Sequence, residues 1–140
     1  MASVEQQEIL DAVEDVWNEG DLDLVEEFIA EEFVGHMLGD EDIHGVEGYE
    51  TWVRATLAAF PDAELTFDTV FEAEAFIAGT WTFTGTHEGQ WEDMEPTGAS
   101  VEFEGVFIDR VEDGMVVESW HLSDGLTLMQ QLGVVELPTG

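Results

Sequence analysis

The stretch 101-VEFEGVFIDRVEDGMVVESWHLS-123 predicts two long β-strands joined by a tight hairpin at Glu112-Asp113-Gly114. Apolar and polar residues alternate along both arms with the period of two that is typical of a strand. The apolar parity changes at Gly105, and a change of phase at a glycine predicts a β-bulge that bends the sheet. The residues that show the change are Val101 and Phe103 before Gly105 and Val106 and Ile108 after it.

The chain before this hairpin predicts further strands and, ahead of them, helices. Strands are expected at about 64–71 and 74–86, with a short extended segment at 33–38. Apolar residues at helical spacing predict three N-terminal helices, over 3–18, from Asp21 onward, and over 46–60.

The ends of the helices carry recognisable signals. Ser3 is a candidate N-cap that forms a capping box with Gln6, and Pro61 ends the third helix. Helices followed by long antiparallel strands predict an α+β domain over residues 1–140. A strongly curved antiparallel sheet covered by helices on one face makes a cone with an apolar interior, which suits a small-molecule pocket.

The composition limits the class of protein. The 140 residues are 44% hydrophobic and include 9 Phe and 5 Trp, which excludes a disordered acidic chain. The absence of cysteine excludes disulfides and thiolate metal sites. The N-terminal sequence MASVEQQEIL has neither the basic nor the apolar segment of a signal peptide, and no apolar run is long enough to predict a membrane span.

The charge is the most unusual property of the sequence. It contains 34 Asp and Glu against only Arg54 and Arg110, which gives a formal net charge of −32. Such a surface repels nucleic acid and anionic membranes, so neither is an expected partner. An acidic chaperone for basic proteins would carry its acids in a block or tail. Here they are interleaved with apolar residues throughout, which favours a cytoplasmic protein of a salt-accumulating halophile.

A set of motifs runs along nearly the whole chain. In chain order they are VWNEGDLDLVEEFIAEEFVGH, IHGVEGYETWV, AAFPD at 58–62, TGTHEG, EPTG, DRVEDG and SWHLSDGLTLMQQLG. Together they resemble the SnoaL-like polyketide cyclases, often called ester cyclases, of the NTF2-like superfamily. The resemblance implies a cone-shaped α+β barrel that pairs into dimers or higher oligomers through its sheet. It also implies an intramolecular aldol ring closure of a polyketide ester, without metal or cofactor.

The resemblance also implies site residues. Asp124, in the motif W-x-x-x-D before an apolar run, matches the family's acid/base carboxylate, and His36 and His87 match histidines that could donate hydrogen bonds to a carbonyl or enolate oxygen. A carboxylate in an apolar pocket has a raised pKa, as general acid/base work at neutral pH requires. The alternatives are that Asp124 caps the following helix near Thr127, and that both histidines are packed at strand ends.

Arg110 departs from the family pattern, because some cyclases carry a histidine there. It shares strand parity with Val106 and Ile108, which predicts a pocket-facing side chain that binds a substrate carboxylate or pairs with Asp124. An Arg–Asp pair would resemble the Asp-Arg-Asp arrangement of the epoxide hydrolases that share this superfold. The parity of His121 predicts the outer sheet face or a subunit interface.

Large aromatic side chains are expected to line the pocket and contact the substrate, foremost Trp17, Phe60, Trp81 and Trp120. No metal is expected, because the pattern of His36, Asp40, Asp42 and His44 matches no established ligand spacing.

The sequence therefore predicts a cofactor-independent acid/base enzyme for a small, mainly apolar carbonyl compound. Two alternatives remain, a non-catalytic ligand-binding or dimerisation module and an epoxide-hydrolase-like enzyme that uses Asp124 and Arg110 to activate water.

Overall fold

A curved six-stranded sheet with helices on its concave face forms the body of the molecule. The computed structural model describes residues 4–38, 41–91 and 94–134. The helices are α1 (Val4–Glu19), α2 (Val25–Phe28), α3 (Gly45–Ala59) and α4 (Gly125–Gln131), with a 3₁₀ turn at Leu22–Leu24. The strands are β1 (Ile29–Met37), β2 (Ile43–His44), β3 (Glu64–Ala73), β4 (Phe76–Thr86), β5 (Ser100–Glu112) and β6 (Met115–Ser123). This is the α+β, NTF2-like fold that the motifs imply.

The helical predictions hold except in the second segment. There, a 3₁₀ turn and the single turn of α2 replace one continuous helix after Asp21. The capping box predicted at Ser3 involves a residue outside the described part of the chain. Among the helices of the described residues, none has the length and apolar character needed to cross a bilayer.

The strand order is β2-β1-β6-β5-β4-β3. Every neighbouring pair is antiparallel except β1 and β6, so the sheet is mixed and not wholly antiparallel as predicted. The long stretch of chain between β1 and β6 permits this parallel pairing, because parallel neighbours require a crossover connection.

Gly105 does not form the predicted bulge. β5 pairs with β4 in continuous register from Ser100 to Arg110, and Gly105 faces inward opposite Trp81. A Cβ at this position would overlap the Trp81 indole, so the glycine makes room for a side chain of the neighbouring strand. The register shifts lie elsewhere, between Ile29 and Val34 in β1, between Phe67 and Thr69 in β3 and between Arg110 and Val111 in β5.

The alternation along β5 is therefore unbroken from Val101 to Asp109, and the odd-numbered residues of this stretch face the helices. Val106 and Ile108 lie on the outer face of the sheet, where they are 49% and 45% exposed. Phe107 and Asp109 lie on the inner face and are buried. This parity decides which side chains reach the space between the sheet and the helices.

Two apolar clusters close that space at its ends. The larger joins α1, α2 and α3 to the sheet, with Val16, Phe28, Tyr49 and Val53 among its buried members. The smaller joins the end of α3 to β4, β5 and α4, and includes Phe60, Phe83 and Leu128. Between the two clusters the concave face of the sheet is left uncovered and forms a cavity.

Candidate active site

The cavity has a volume of about 480 Å³, within the range of about 300–1,000 Å³ that is usual for small-molecule pockets. Its wall is rich in aromatic rings, which come from α1, α2, α3 and the strands β3 to β6. Trp17, Phe60 and Trp81 lie in this wall, as the sequence predicted, whereas their contact with a substrate stays a prediction. Trp120 lies on the opposite face of the sheet, where its ring stacks on that of His36 with the centroids 5.4 Å apart. The position predicted for Trp120 is therefore wrong.

Asp109 is the acidic residue in the wall of the cavity, among the residues that the structure describes. It is only 8% exposed and lies directly across from Ser119 of β6. Burial raises the pKa of the Asp109 carboxyl from 3.8 to about 7, and a hydrogen bond from the Ser119 side chain opposes this shift. Near neutral pH both the protonated and the ionised forms of this carboxyl are therefore populated.

Tyr49 of α3 places a protonated hydroxyl beside Asp109. The indole Nε1 of Trp17 donates a hydrogen bond of 3.0 Å to the Tyr49 hydroxyl, which fixes its position. Burial raises the pKa of Tyr49, and the nearby charge of Asp109 raises it further despite the opposing effect of the Trp17 hydrogen bond. The Tyr49 O–H is thus available as a donor toward the cavity at any physiological pH.

His121 of β6 supplies a neutral imidazole to the same cavity. Its ring lies 5.5 Å from the centroid of Trp52 and 6.4 Å from that of Phe107. The cavity leaves the ring partly accessible while the surrounding elements shield it from bulk water. This burial lowers the pKa of His121 from 6.5 to about 4, so the ring stays uncharged at neutral pH. The sequence-based placement of His121 on the outer face is wrong.

Asp124 lies outside this constellation. It is exposed and caps α4, accepting a hydrogen bond of 3.1 Å from the backbone N–H of Thr127 and one of 2.6 Å from its hydroxyl. These bonds lower the pKa of the Asp124 carboxyl, the opposite of what a general base at neutral pH requires. Ser123 and Gly125 on either side line the cavity, but Asp124 does not. The structure therefore has the helix cap, which was the alternative to the acid/base role.

Arg110 and His36 also lie on the outer face, and the prediction of a pocket-facing Arg110 is wrong. Arg110 Nε and Nη2 donate to Glu118 Oε1 at 3.2 and 3.1 Å, and its Nη1 lies 3.2 Å from Glu112 Oε1. His36 Nε2 lies 2.7 Å from Glu118 Oε2, and this hydrogen bond is the main reason that the pKa of His36 is raised. Arg110 is thus committed to Glu118 and Glu112, and Asp124 to Thr127.

His87 is fully buried but is separated from the cavity by Phe60, whose ring centroid lies 5.5 Å away. The backbone N–H of Thr97 donates to Nδ1 of His87 at 3.2 Å, which leaves the proton on Nε2. Within the described residues, Nε2 has no hydrogen-bond partner. The structure therefore brings none of the three predicted catalytic residues, Asp124, His36 and His87, into the wall of the cavity.

Asp109 and His121 were missed by the sequence-based prediction, although a signal for both was present. Counted without a break at Gly105, the alternation of β5 puts Asp109 on the face of Val101, Phe103 and Phe107. The hairpin register then sets His121 opposite Phe107.

A metal site has no support in the part of the chain that the structure describes. These residues contain no group of three potential His or carboxylate ligands. Asp40, one of the four residues considered from sequence, lies outside them.

Comparison with known proteins agrees with this architecture. The profile of the family described as SnoaL-like polyketide cyclase matches residues 7–132. Among solved structures, TsrD from Streptomyces laurentii is similar with a TM-score of 0.87 at 23% identity, over 96% of this chain and 99% of that one. IdmH from Streptomyces antibioticus, provisionally assigned as a polyketide cyclase, is similar with a TM-score of 0.79 at 30% identity, over 94% and 100%.

AclR from Streptomyces galilaeus, provisionally assigned as a hydroxylase, is similar with a TM-score of 0.82 at 27% identity, over 96% and 85% of the two chains. No curated protein matches the chain at a significant level.

Proposed function

The chain belongs to the SnoaL-like polyketide cyclase family, and from that premise we propose that it is an acid/base enzyme for a small, neutral, mainly apolar carbonyl compound. We assign the acid/base role to Asp109 and not to Asp124. The observation that carries this assignment is a buried carboxyl with a pKa of about 7 in the wall of an aromatic cavity. A group of that basicity is suited to take and return a proton at neutral pH.

The reaction that suits these groups is an intramolecular aldol ring closure. Ionised Asp109 removes a proton from the carbon next to a carbonyl, and the electron pair of the broken C–H bond forms an enolate. The enolate carbon attacks a second carbonyl of the same molecule, which forms the C–C bond and leaves an alkoxide. The protonated Asp109 carboxyl then donates its proton to that alkoxide, so the substrate and product are isomers.

His121 and Tyr49 are the candidate donors to the enolate oxygen. Because burial keeps His121 neutral, its N–H can donate a hydrogen bond without giving up a proton to the intermediate. The Tyr49 hydroxyl is fixed by Trp17 at 3.0 Å and keeps its own proton for the same purpose. The remaining aromatic wall excludes water, which strengthens each of these interactions.

Of the two alternatives, the epoxide-hydrolase arrangement has no support, since Arg110 and Asp124 are each bonded to other partners. A non-catalytic binding module uses the same cavity, so only turnover separates it from an enzyme. The natural substrate is to be searched for among aryl ketones and aryl β-keto esters. The first half of the proposed reaction is measurable as deuterium incorporation at the α-carbon by mass spectrometry.

Asp109→Asn is expected to lower that exchange by at least about a hundredfold, as expected for loss of a general base. Asp124→Asn is the matched control, because it also replaces a carboxylate by an amide but lies outside the cavity. If Asp124→Asn abolishes exchange and Asp109→Asn leaves it unchanged, the assignment is wrong. If ligands bind but no compound exchanges with the wild-type protein, the binding module is supported instead.

We also propose that two copies pair through the outer face of the sheet. Val106, Ile108 and Leu122 are each nearly half exposed there, on adjacent strands. Contiguous apolar side chains of this kind are usual at protein interfaces. Ile108→Glu is expected to convert a dimer to a monomer in sedimentation equilibrium, and an unchanged mass would refute this interface.

The acidic composition supports a further proposal, that the protein works in the concentrated salt of a halophile's cytoplasm. With a formal net charge of −32, self-repulsion is screened only when counterions are abundant. Dialysis to low salt is expected to abolish the near-ultraviolet circular dichroism of the tryptophans. A spectrum that is unchanged at low salt would refute the proposal.

A further inference from the structure

Asp109 has no positively charged side chain to pair with. The sequence contains two arginines and no lysine, and both arginines are committed elsewhere, as is His36, which is bonded to Glu118 on the outer face. Arg54 is 61% exposed on α3 beside Glu50, and Arg110 is bonded to Glu118 on the outer face of the sheet. His121, the described histidine in the cavity wall, is uncharged at neutral pH. An ionised Asp109 is therefore a buried negative charge without a counter-ion.

Aromatic rings crowd the same part of the cavity. Trp17 and Trp52 lie with their centroids 4.8 Å apart, and Tyr49 lies 5.4 Å from Trp52. Asp109 is near enough to Tyr49 to affect its ionisation, and it follows Phe107 on the inner face of β5. Aromatic faces attract cations, and the attraction is strongest where water is excluded. A carboxylate beside several indole and phenol rings has the composition of a site for organic ammonium ions.

The net charge of the whole protein also favours the binding of cations. A net charge of −32 raises the local concentration of cations and repels carboxylates and phosphates. Salt screens this long-range attraction, but it screens a buried contact with Asp109 much less. High salt therefore distinguishes binding in the cavity from accumulation at the acidic surface.

We propose that the cavity is a binding site for lipophilic organic cations, with Asp109 as the counter-ion and the rings of Trp17, Trp52 and Tyr49 as the wall. This proposal needs the cavity and the buried carboxylate but not the ring-closing reaction. An ammonium compound bound there occupies the space of a carbonyl substrate and also neutralises the proposed base. Lipophilic amines are therefore expected to be competitive inhibitors of whatever reaction the site performs.

Two isosteric probes, phenyltrimethylammonium and tert-butylbenzene, test this inference. They have nearly the same shape, they differ by one positive charge, and neither titrates. Binding is measured by isothermal titration calorimetry and by tryptophan fluorescence in concentrated NaCl, since four of the five tryptophans line the cavity. The cation is expected to bind more tightly than the hydrocarbon.

The pH dependence identifies the counter-ion. The titratable side chains that share the cavity with Asp109, among the described residues, are Tyr49 and His121, and neither changes charge between pH 6 and pH 8. Ionisation of Asp109 is expected to strengthen binding of the cation about tenfold from pH 6 to pH 8. Binding of tert-butylbenzene is expected to stay constant or to weaken.

Asp109→Asn is expected to remove both the pH dependence and the advantage of the cation over the hydrocarbon. Asp23→Asn is the control, because it removes one charge from an exposed position and leaves the cavity untouched. Equal affinity for both probes in wild-type protein at pH 8 overturns the proposal. Loss of affinity in both variants alike also overturns it, because that result assigns the cation to the acidic surface. A cation that binds without any measurable turnover supports this inference even where the proposed reaction fails.

Discussion

The inner and outer faces of the sheet shift the ionisation of their side chains in opposite directions. On the inner face, the pKa of Asp109 is raised and that of His121 is lowered, so both favour the neutral form. On the outer face, the pKa of His36 is raised and that of Glu118 is lowered, so both favour the charged form. Asp109, Glu118 and His121 belong to β5 and β6, and His36 belongs to β1, which pairs with β6.

The difference follows from what each group can contact. Burial is the first cause of both shifts on the inner face, where no opposite charge is available. The hydrogen bond of 2.7 Å between His36 and Glu118 is the first cause of both shifts on the outer face. A pair of groups held neutral in a cavity suits proton transfer, whereas a pair held charged at the surface suits structure or association.

The largest expected effect is on stability when Asp109 is replaced by Asn. Because the folded pKa is about 7 against 3.8 in the unfolded chain, the folded state binds the extra proton between these values, and stability falls as pH rises through that window. The variant escapes this loss, so its gain over wild type should grow from near zero at pH 4 to at most about 4 kcal/mol at pH 8. Urea unfolding at fixed salt measures the gain.

Asp124→Asn tests whether the pH dependence of stability reverses at a carboxyl whose pKa is lowered. The pKa of Asp124 is lowered in the folded state, so the contribution of this carboxyl to stability is present at neutral pH and lost on acidification. The difference between this variant and wild type should therefore shrink toward low pH. A gain at pH 8 for Asp124→Asn but not for Asp109→Asn would contradict the contrast between the two faces.

His121→Gln should have the next largest effect on stability, at the acid end of the pH range. Since the folded pKa of His121 is about 4 against 6.5 in the unfolded chain, wild-type protein loses stability as pH falls between these values. The variant does not carry that penalty, so relative to wild type it should gain up to about 3 kcal/mol on going from pH 7 to pH 4. Parallel urea unfolding curves over this range measure the relative gain.

The matched variant on the outer face is His36→Gln. The pKa of His36 is raised, so its stabilising contribution is present at low pH and is lost as pH rises through the folded value. His36→Gln should therefore lose stability relative to wild type as the solution is acidified, the reverse of His121→Gln. If acidification changes the stability of both variants relative to wild type in the same direction, the distinction between a buried and a paired histidine is wrong.

Gly105→Ala should have an intermediate effect on stability and should also affect the binding of ligands in the cavity. The added Cβ overlaps the Trp81 indole, which must move into the cavity that it lines. Overpacking of this kind costs about 1–3 kcal/mol, and the moved ring should also weaken binding of cavity ligands. Gly125→Ala is the matched control, because nothing lies within 4 Å of the position that its methyl group would take, and no loss is expected. Equal melting temperatures for the two variants would refute the packing role of Gly105.

The long periodic elements were predictable from sequence, but the face of the sheet that holds the site was not. The helices α1 and α3 and the strands β4, β5 and β6 follow their apolar periods closely, because each buries one continuous stripe or face. The outer face of β5 and β6 is also apolar, with Val106, Ile108 and Leu122 exposed on it. The inner face, by contrast, carries the polar Asp109 and His121.

Hydrophobicity therefore indicated the wrong face for the site. After Gly105 the outer face of β5 is apolar, whereas the inner face carries the glycine and a buried acid. This distribution produced the incorrect prediction of a phase change at Gly105. Unbroken alternation places Asp109 inward, but a polar residue in a strand is ordinarily expected to face water, and the register with β4 and β6 decides between the two. The fold could be predicted from local pattern, whereas the site depends on pairing between strands.

The smallest expected effect is that of Asp124→Ala, which sharpens the contrast between the two aspartates. This change removes the side-chain acceptor for the Thr127 N–H and should fray the first turn of α4, with a small fall in melting temperature. Asp124→Asn should keep most of that stability, because Asn is as good an N-cap as Asp. Leu128 of α4 packs into the apolar cluster with Phe60, which should hold the helix in place, so ligand affinity should change little in either variant. If Asp124 acts only as a helix cap, activity will follow the stability of α4, and Asp124→Asn will resemble wild type. Retained stability in Asp124→Asn together with lost turnover would instead return the acid/base role to Asp124 and remove it from Asp109.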